Sequence, residues 1–216
     1  FLDIKDEHYK PAFIKGMEEN LKEIDLIIEN TETPTFANTI EELERTGMLL
    51  SKVQRVFSNL TSSNTNAQLL ELQRELSPML SAHSDKIALN KDLFDRIEAI
   101  WNERKSLDLT KEQQKLLKDR RNKFVRSGVL LEDSEKKQIT KINSKISEIS
   151  IAFGQNLLAE TNGFELILSK SDLDGLSDGN IQAAYEAASL KMNQVKPDKD
   201  KEKYKDKYLF TPHRTS

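Results

Sequence analysis

Two residue types that often carry chemistry at neutral pH, cysteine and histidine, are scarce in this sequence. The chain has 216 residues, with no cysteine and three histidines, His8, His83 and His213. No two histidines stand four residues apart, so the His-Glu-x-x-His motif, which places two zinc ligands on one helix face, is missing. No Glu-x-x-His pair occurs, which removes the carboxylate motif of di-iron bundles. The lack of cysteine excludes a thiol nucleophile, a disulfide framework and cysteine-ligated zinc.

Motifs for other kinds of catalysis are also missing. The sequence contains neither a Gly-x-Ser-x-Gly nucleophile elbow nor a glycine-rich phosphate loop. Its 36 acidic residues could perform acid–base chemistry only as a pair that shares a pocket, and the pattern places them on solvated helix faces. We therefore nominate no catalytic residue and no metal ligand, and the substrate-binding residues are unknown.

Two histidines have structural interpretations that we prefer to catalytic ones. His83 lies on the apolar stripe of a predicted helix, which is typical of a hydrogen-bonded histidine in a core. His8, beside Glu7 and Tyr9, fits local packing or capping better than partner recognition. No role is assigned to His213.

Charge and hydropathy exclude two broad classes of protein. Lys and Arg number 33 against 36 Asp and Glu, whereas a general nucleic-acid binder has a strong basic excess. No stretch approaches the ~18 apolar residues of a membrane span, and no signal-peptide pattern is visible. The mixed charges of residues 196–207 predict a solvated loop, in preference to a surface for acidic lipids or RNA.

Apolar residues at three- and four-residue steps predict about six helices in residues 1–162. After Gly163 the period changes, and residues 163–216 predict a short strand, a small helix, a charged loop and the start of a second strand, as in a truncated domain. The fold class is therefore all-α: an antiparallel, bundle-like helical region with a minor pair of short strands.

Several helix ends are recognisable from pairs of residues three positions apart. We expect Thr39 with Glu42 to cap the second helix and Thr110 with Gln113 to cap the fifth. Gly128 is expected to end the fifth helix in a left-handed conformation. Gly47 lies inside the predicted second helix, and we interpret it as a point where a neighbouring helix approaches closely.

The sixth predicted helix has the most regular apolar pattern of the chain. A seam of only about two heptads favours a buried place in the intramolecular bundle over a coiled coil with a partner. An oligomer built on this helix remains the alternative. The seam consists of Ile139, Ile142, Ile146, Ile149 and Phe153.

A colinear series of short segments extends through nearly the whole chain. In order and spacing it resembles the N-terminal region of peptidyl-dipeptidase-like members of the thimet oligopeptidase/oligopeptidase A family of zinc metallopeptidases. The series comprises residues 4–13 with Gly16 and Met17, residues 34–39 with Leu43, Glu44 and Gly47, the pairs Val56-Phe57, Thr65-Asn66 and Ser77-Pro78, and residues 93–96, 124–128, 153–156 and 173–176.

The resemblance implies a non-catalytic role for these residues. In that family two helical lobes flank a deep channel, and the zinc site lies in a later part of a much longer chain. This chain would form one wall of the channel in an enzyme that hydrolyses short peptides, releasing C-terminal dipeptides. Zinc and peptides would be bound by the parent protein, and the missing C-terminal catalytic domain would be this chain's partner. No zinc ligand carries over, because no position matches the motif.

A second interpretation stays open beside the first. After Phe210 the sequence departs from the family pattern, with Pro212 and Thr215 at positions where relatives have other residues. The alternative function is a free-standing helical binding or scaffold module without catalysis. We expect the cytoplasm as the compartment, with the periplasm as the alternative, and neither interpretation includes a nucleic acid or a membrane span.

Overall fold

A computed structural model describes residues 3–196 and 198–212, except for the side chains of residues 198–200. His213 therefore lies outside the described residues, and so does Thr215. The chain divides into two compact units, Phe1–Ala152 and Phe153–Ser216, and the boundary falls inside a long helix. Each unit is built around its own contacts.

Helices make up most of the regular structure, which confirms the all-α prediction. The helices are α1 Tyr9–Ile28, α2 Glu42–Arg45, α3 Met48–Ser63, α4 Ala67–Ala88, α5 Lys91–Glu103, α6 Lys111–Ser127, α7 Asp133–Gly163 and α8 Asp178–Gln194. The minor strand pair is also present: β1, Leu166–Leu168, pairs antiparallel with β2, Tyr208–Phe210. The second predicted strand thus has a partner within the chain. No helix in the described part of the chain is long and apolar enough to cross a membrane.

Two clusters of buried side chains form the core of the first unit, and α1 contributes to both. One cluster joins the end of α1 to α5 and α6: Ile24, Ile27, Phe36, Ile40, Leu93, Phe94, Ile97, Ile100, Leu117, Phe124 and Val129. The other joins the start of α1 to α3 and α4: Tyr9, Phe13, Met17, Leu50, Phe57, Leu69 and Leu76. Fully burying a side chain of this size stabilises the fold by about 1.5–3 kcal/mol.

Most of the local capping interactions follow the sequence patterns. Thr110 and Gln113 form the expected reciprocal pair, with backbone-to-side-chain distances of 3.0 and 3.2 Å. Asn90 caps α5 by accepting a hydrogen bond from the backbone N–H of Leu93 at 2.8 Å. Gly128 ends α6 with φ of 96°, in the left-handed region.

The start of the second predicted helix differs from expectation. The cap is Thr35 instead of Thr39, because Thr35 and Asn38 exchange two side-chain-to-backbone hydrogen bonds. A π-helical turn, Phe36–Glu41, follows and leads into α2. Thr39 is fully buried in that turn, and its hydroxyl donates to Asn38 Oδ1, so it does not cap with Glu42.

The prediction that Gly47 lies within a helix is wrong. Gly47 has φ of 72° and separates α2 from α3, a conformation that glycine adopts without steric cost. The close approach between helices occurs at Gly16 instead. A Cβ atom on Gly16 would lie 2.9 Å from Leu50 Cα, so the backbones of α1 and α3 are in contact there.

In the second unit, β1, β2 and α8 surround a small cluster that includes Ala188, Tyr204 and Leu209. Glu165, just before β1, is the polar centre of this unit. Its carboxylate lies 2.9 Å from the amino groups of both Lys191 and Lys203 and accepts a hydrogen bond from the Tyr204 hydroxyl at 2.7 Å. These contacts, the Tyr204 hydrogen bond first, hold the pKa of Glu165 at about 2.

We expect Gly16→Ala to destabilise the protein by about 1–3 kcal/mol, because α1 and α3 must move apart to admit the methyl group. Gly154→Ala is the matched control, since Gly154 lies inside α7 with nothing within 4 Å of its added Cβ. That change should stabilise the helix by up to about 1 kcal/mol. Urea unfolding followed by circular dichroism measures both, and equal stabilisation by the two substitutions would contradict the close approach.

Glu165 should make the second unit sensitive to acid. Because folding lowers the pKa of this carboxyl from 4.5 to about 2, its contribution is complete above about pH 5 and is lost as the pH falls towards 2. We expect Glu165→Gln to remove up to about 3 kcal/mol at pH 7 and to flatten the acid dependence below pH 5. Glu202→Gln, which removes an exposed carboxylate of the same unit, should change neither the stability at pH 7 nor its dependence on acid. An unaltered acid profile in Glu165→Gln would refute this account.

Candidate functional site

The two histidines in the described residues, His8 and His83, lie in different surroundings. His8 accepts a hydrogen bond from the backbone N–H of Lys5 at 3.1 Å, which confirms its local capping role. Among the side chains that the structure describes, no three from His, Asp or Glu come together in a way that could hold a metal ion. The zinc that the family resemblance implies therefore does not fit the side chains described here.

His83 is a buried histidine that pairs with a side chain of another helix. It projects from α4, is 7% exposed, and its Nε2 lies 2.8 Å from Asn20 Oδ1 on α1. Because an amide oxygen only accepts, Nε2 carries the hydrogen, and Nδ1 is left buried without a partner. Burial first, and then the charge of Lys86, lowers the pKa of His83, so the ring is neutral at pH 7. This confirms its predicted place in the core.

A groove of about 400 Å³ lies beside this pair in the first unit. Glu44 and Arg120, which form a two-pronged ion pair, both lie on its lining. Sequence reasoning missed Asn20, although its position on the apolar stripe of α1 was a signal of a buried polar contact. The groove is lined in part by Asn20, Leu50, Gln54, His83, Arg120 and Lys123.

The apolar seam of α7 is exposed, which contradicts the prediction that it forms part of the bundle core. In the first unit Ile142 and Ile146 are each 56% exposed and Ile149 is 55% exposed. Further along the same helix Phe153 is 68% exposed. Only Ile139, at the start of the seam, is partly covered. The heptad period was correctly identified, but the side of the helix that faces the protein was not.

The opposite side of α7 faces α4 and is mainly polar. Asn143 donates to Asp85 Oδ1 at 2.8 Å, and Ser147 donates to the backbone carbonyl of Ser77 at 3.1 Å. The two hydroxyls of Ser77 and Ser147 are also hydrogen-bonded to each other. Asn143 and Ser147 are one helical turn apart, and this spacing was the signal in the sequence that α7 could attach through polar contacts.

Comparison with known proteins finds related sequences but no matching family model. The chain is 35% identical over 192 residues to a dipeptidyl carboxypeptidase of Escherichia coli (strain K12), a match that covers 88% of this chain and 28% of the relative. A dipeptidyl carboxypeptidase of Salmonella typhimurium is 36% identical over 87% of this chain and 28% of its own length. An oligopeptidase A of Haemophilus influenzae is 28% identical over 88% of this chain and 28% of its own. The chain thus spans little more than a quarter of these relatives.

The lowered pKa of His83 predicts a loss of stability in mild acid. The unfolded chain binds a proton near pH 6.5, whereas the folded chain resists protonation until a lower pH. Stability is therefore complete above about pH 6.5 and falls, by at most about 1.4 kcal/mol per pH unit, as the pH drops below it. His83→Gln should reduce this slope in urea unfolding between pH 7.5 and 5.5.

His8→Gln is the control for this experiment, because the His8 side chain is 52% exposed and its contact is local. The His8→Gln variant should show the same change of stability with pH as the unsubstituted chain. A slope that survives His83→Gln unchanged would show that another group causes it.

Proposed function

We propose a function that follows from the sequence relationship of this chain. The chain is related to the dipeptidyl carboxypeptidases and oligopeptidases A of the thimet oligopeptidase family, and it corresponds to an N-terminal region of such a protein. Its proposed role is that of a non-catalytic part of a zinc metallopeptidase that hydrolyses short peptides. In this role its packed helices form one wall of the channel that admits the substrate.

The observation that carries this proposal is the match over 88% of the chain to a protein named for peptide hydrolysis. The relatives named dipeptidyl carboxypeptidase are 35% and 36% identical to the chain. Those named oligopeptidase A from bacteria are 22% to 28% identical. This difference favours release of C-terminal dipeptides over internal cleavage in the parent enzyme.

The chain's own residues support a structural contribution to such an enzyme. Two apolar clusters that share α1 make a stiff helical scaffold, which suits a wall that excludes folded proteins. Zinc would supply an activated water for peptide hydrolysis. The described residues contain no cluster that fits the metal, so its ligands would belong to the rest of the parent protein.

A free-standing helical binding module is the second candidate function. The exposed seam of α7 favours it, since a contiguous apolar surface marks a place where another molecule binds. Such a module would come from a gene without a zinc motif, whereas a gene whose open frame continues past Ser216 and encodes His-Glu-x-x-His supports the peptidase.

We expect the purified 216-residue chain with added zinc to leave short peptides intact, because its sequence contains no His-Glu-x-x-His motif. The parent protein should hydrolyse the same peptides, lose this activity in a metal chelator, and release products two residues long from the C-terminus, as read by mass spectrometry. A peptide with a blocked C-terminus is the control for dipeptide release. Chelator-sensitive hydrolysis by the pure 216-residue chain, or a parent protein without hydrolysis, would overturn the proposal.

A further inference from the structure

The exposed side of α7 in the first unit reverses the usual polarity of a helix on a protein surface. Such a helix normally buries its apolar side and exposes its polar one. Here Asn143 and Ser147 are bonded to α4, while Ile142, Ile146 and Ile149 are more than half exposed. We refer to these three isoleucines as the α7 seam.

The α7 seam is a continuous strip and not a set of unrelated surface residues. Isolated apolar residues are common on protein surfaces and need no explanation. Steps of four and three residues, however, place Ile142, Ile146 and Ile149 along one line of the helix. The pair Lys145–Glu148, 3.4 Å apart, lies on one flank of this strip. An apolar centre beside charged residues is the usual composition of a protein interface.

The length of the relatives indicates what covers this strip. The chain spans 28% of the first two relatives, so most of such a protein lies outside these residues. A segment of the same polypeptide binds at an effective concentration in the millimolar range, so a small apolar surface suffices to hold it. A second copy has no such advantage and needs about 800 Å² from each partner for a stable dimer, far more than three partly exposed isoleucines supply.

We propose that the α7 seam is the surface on which the rest of the parent peptidase chain packs, and this inference rests on the proposed function. The packing segment is an apolar part of the same polypeptide, outside the 216 residues. Hydrogen bonds to α4 hold the polar side of α7, so that its apolar side is exposed before the partner segment binds. In the parent protein all three isoleucines become buried.

Cysteine labelling tests this proposal, because the 216 residues contain no cysteine of their own. Ile142→Cys, Ile146→Cys and Ile149→Cys report on the seam, each alone in a parent protein whose other cysteines are replaced by serine. Lys137→Cys and Lys141→Cys are matched controls at exposed positions of the same helix but off the line of the seam. Each variant is made both in the parent protein and in the 216-residue chain, and its rate of reaction with a maleimide is measured.

We expect the seam cysteines to react at least about tenfold more slowly in the parent than in the 216-residue chain, as burial in a stable contact requires. The control cysteines should react at similar rates in both. As a second variant, Ile146→Asp should lower the melting temperature of the parent and leave that of the 216-residue chain unchanged.

Three results would separate failure of this proposal from failure of the proposed function. Fast labelling of the seam in a parent that hydrolyses peptides would overturn the packing surface and leave the peptidase assignment intact. If the seam cysteines of the 216-residue chain react more slowly as the protein concentration rises, a second copy covers the seam. That result also overturns the proposed packing surface. Protection in a parent without hydrolysis would support the packing surface and contradict the peptidase function.

Discussion

The contact between α1 and α3 at Gly16 is the constraint on which the first unit depends. Because Gly16 has no side chain, the helix backbones meet at Leu50, and this fixes how far α1 lies from its neighbours. The same position of α1 brings Asn20 to His83 and places Glu23 where its carboxylate accepts the backbone N–H of Gly47 at 2.6 Å. One close approach thus sets two polar contacts that link α1 to the helices around it.

These contacts also shape the groove beside His83. The imidazole is neutral because it is buried, and its one described partner is an amide that cannot exchange a proton with a substrate at neutral pH. The Glu44–Arg120 pair on the lining brings two opposite charges into direct contact.

The attachment of α7 differs in kind from that of the helices that form the two apolar clusters. Apolar burial holds α1, α3, α4, α5 and α6 together, whereas α7 meets α4 through amide, carboxylate and hydroxyl groups. A net contribution of about 1 kcal/mol per hydrogen bond keeps such a helix in register without covering its apolar side. The second unit relies on another kind of interaction. The Glu165 carboxylate forms ion pairs with Lys191 and Lys203 and accepts a hydrogen bond from the Tyr204 hydroxyl.

The sequence by itself determined the helices, several of their ends and the family relationship. Thr110 and Gly128 were predictable because each acts on backbone groups within a few residues, so no distant part of the chain takes part. Tertiary structure decided the rest. Thr35 and Thr39 have the same chemistry, and only the burial of Thr39 gives the cap to Thr35.

Gly16 and Gly47 both fit helical periodicity, and only the approach of α3 and the turn before it assign them different roles. The period of α7 indicates a helix with one apolar side, but which side faces inward depends on the groups that α4 offers. Because those groups lie more than fifty residues away in sequence, no local pattern contains that information.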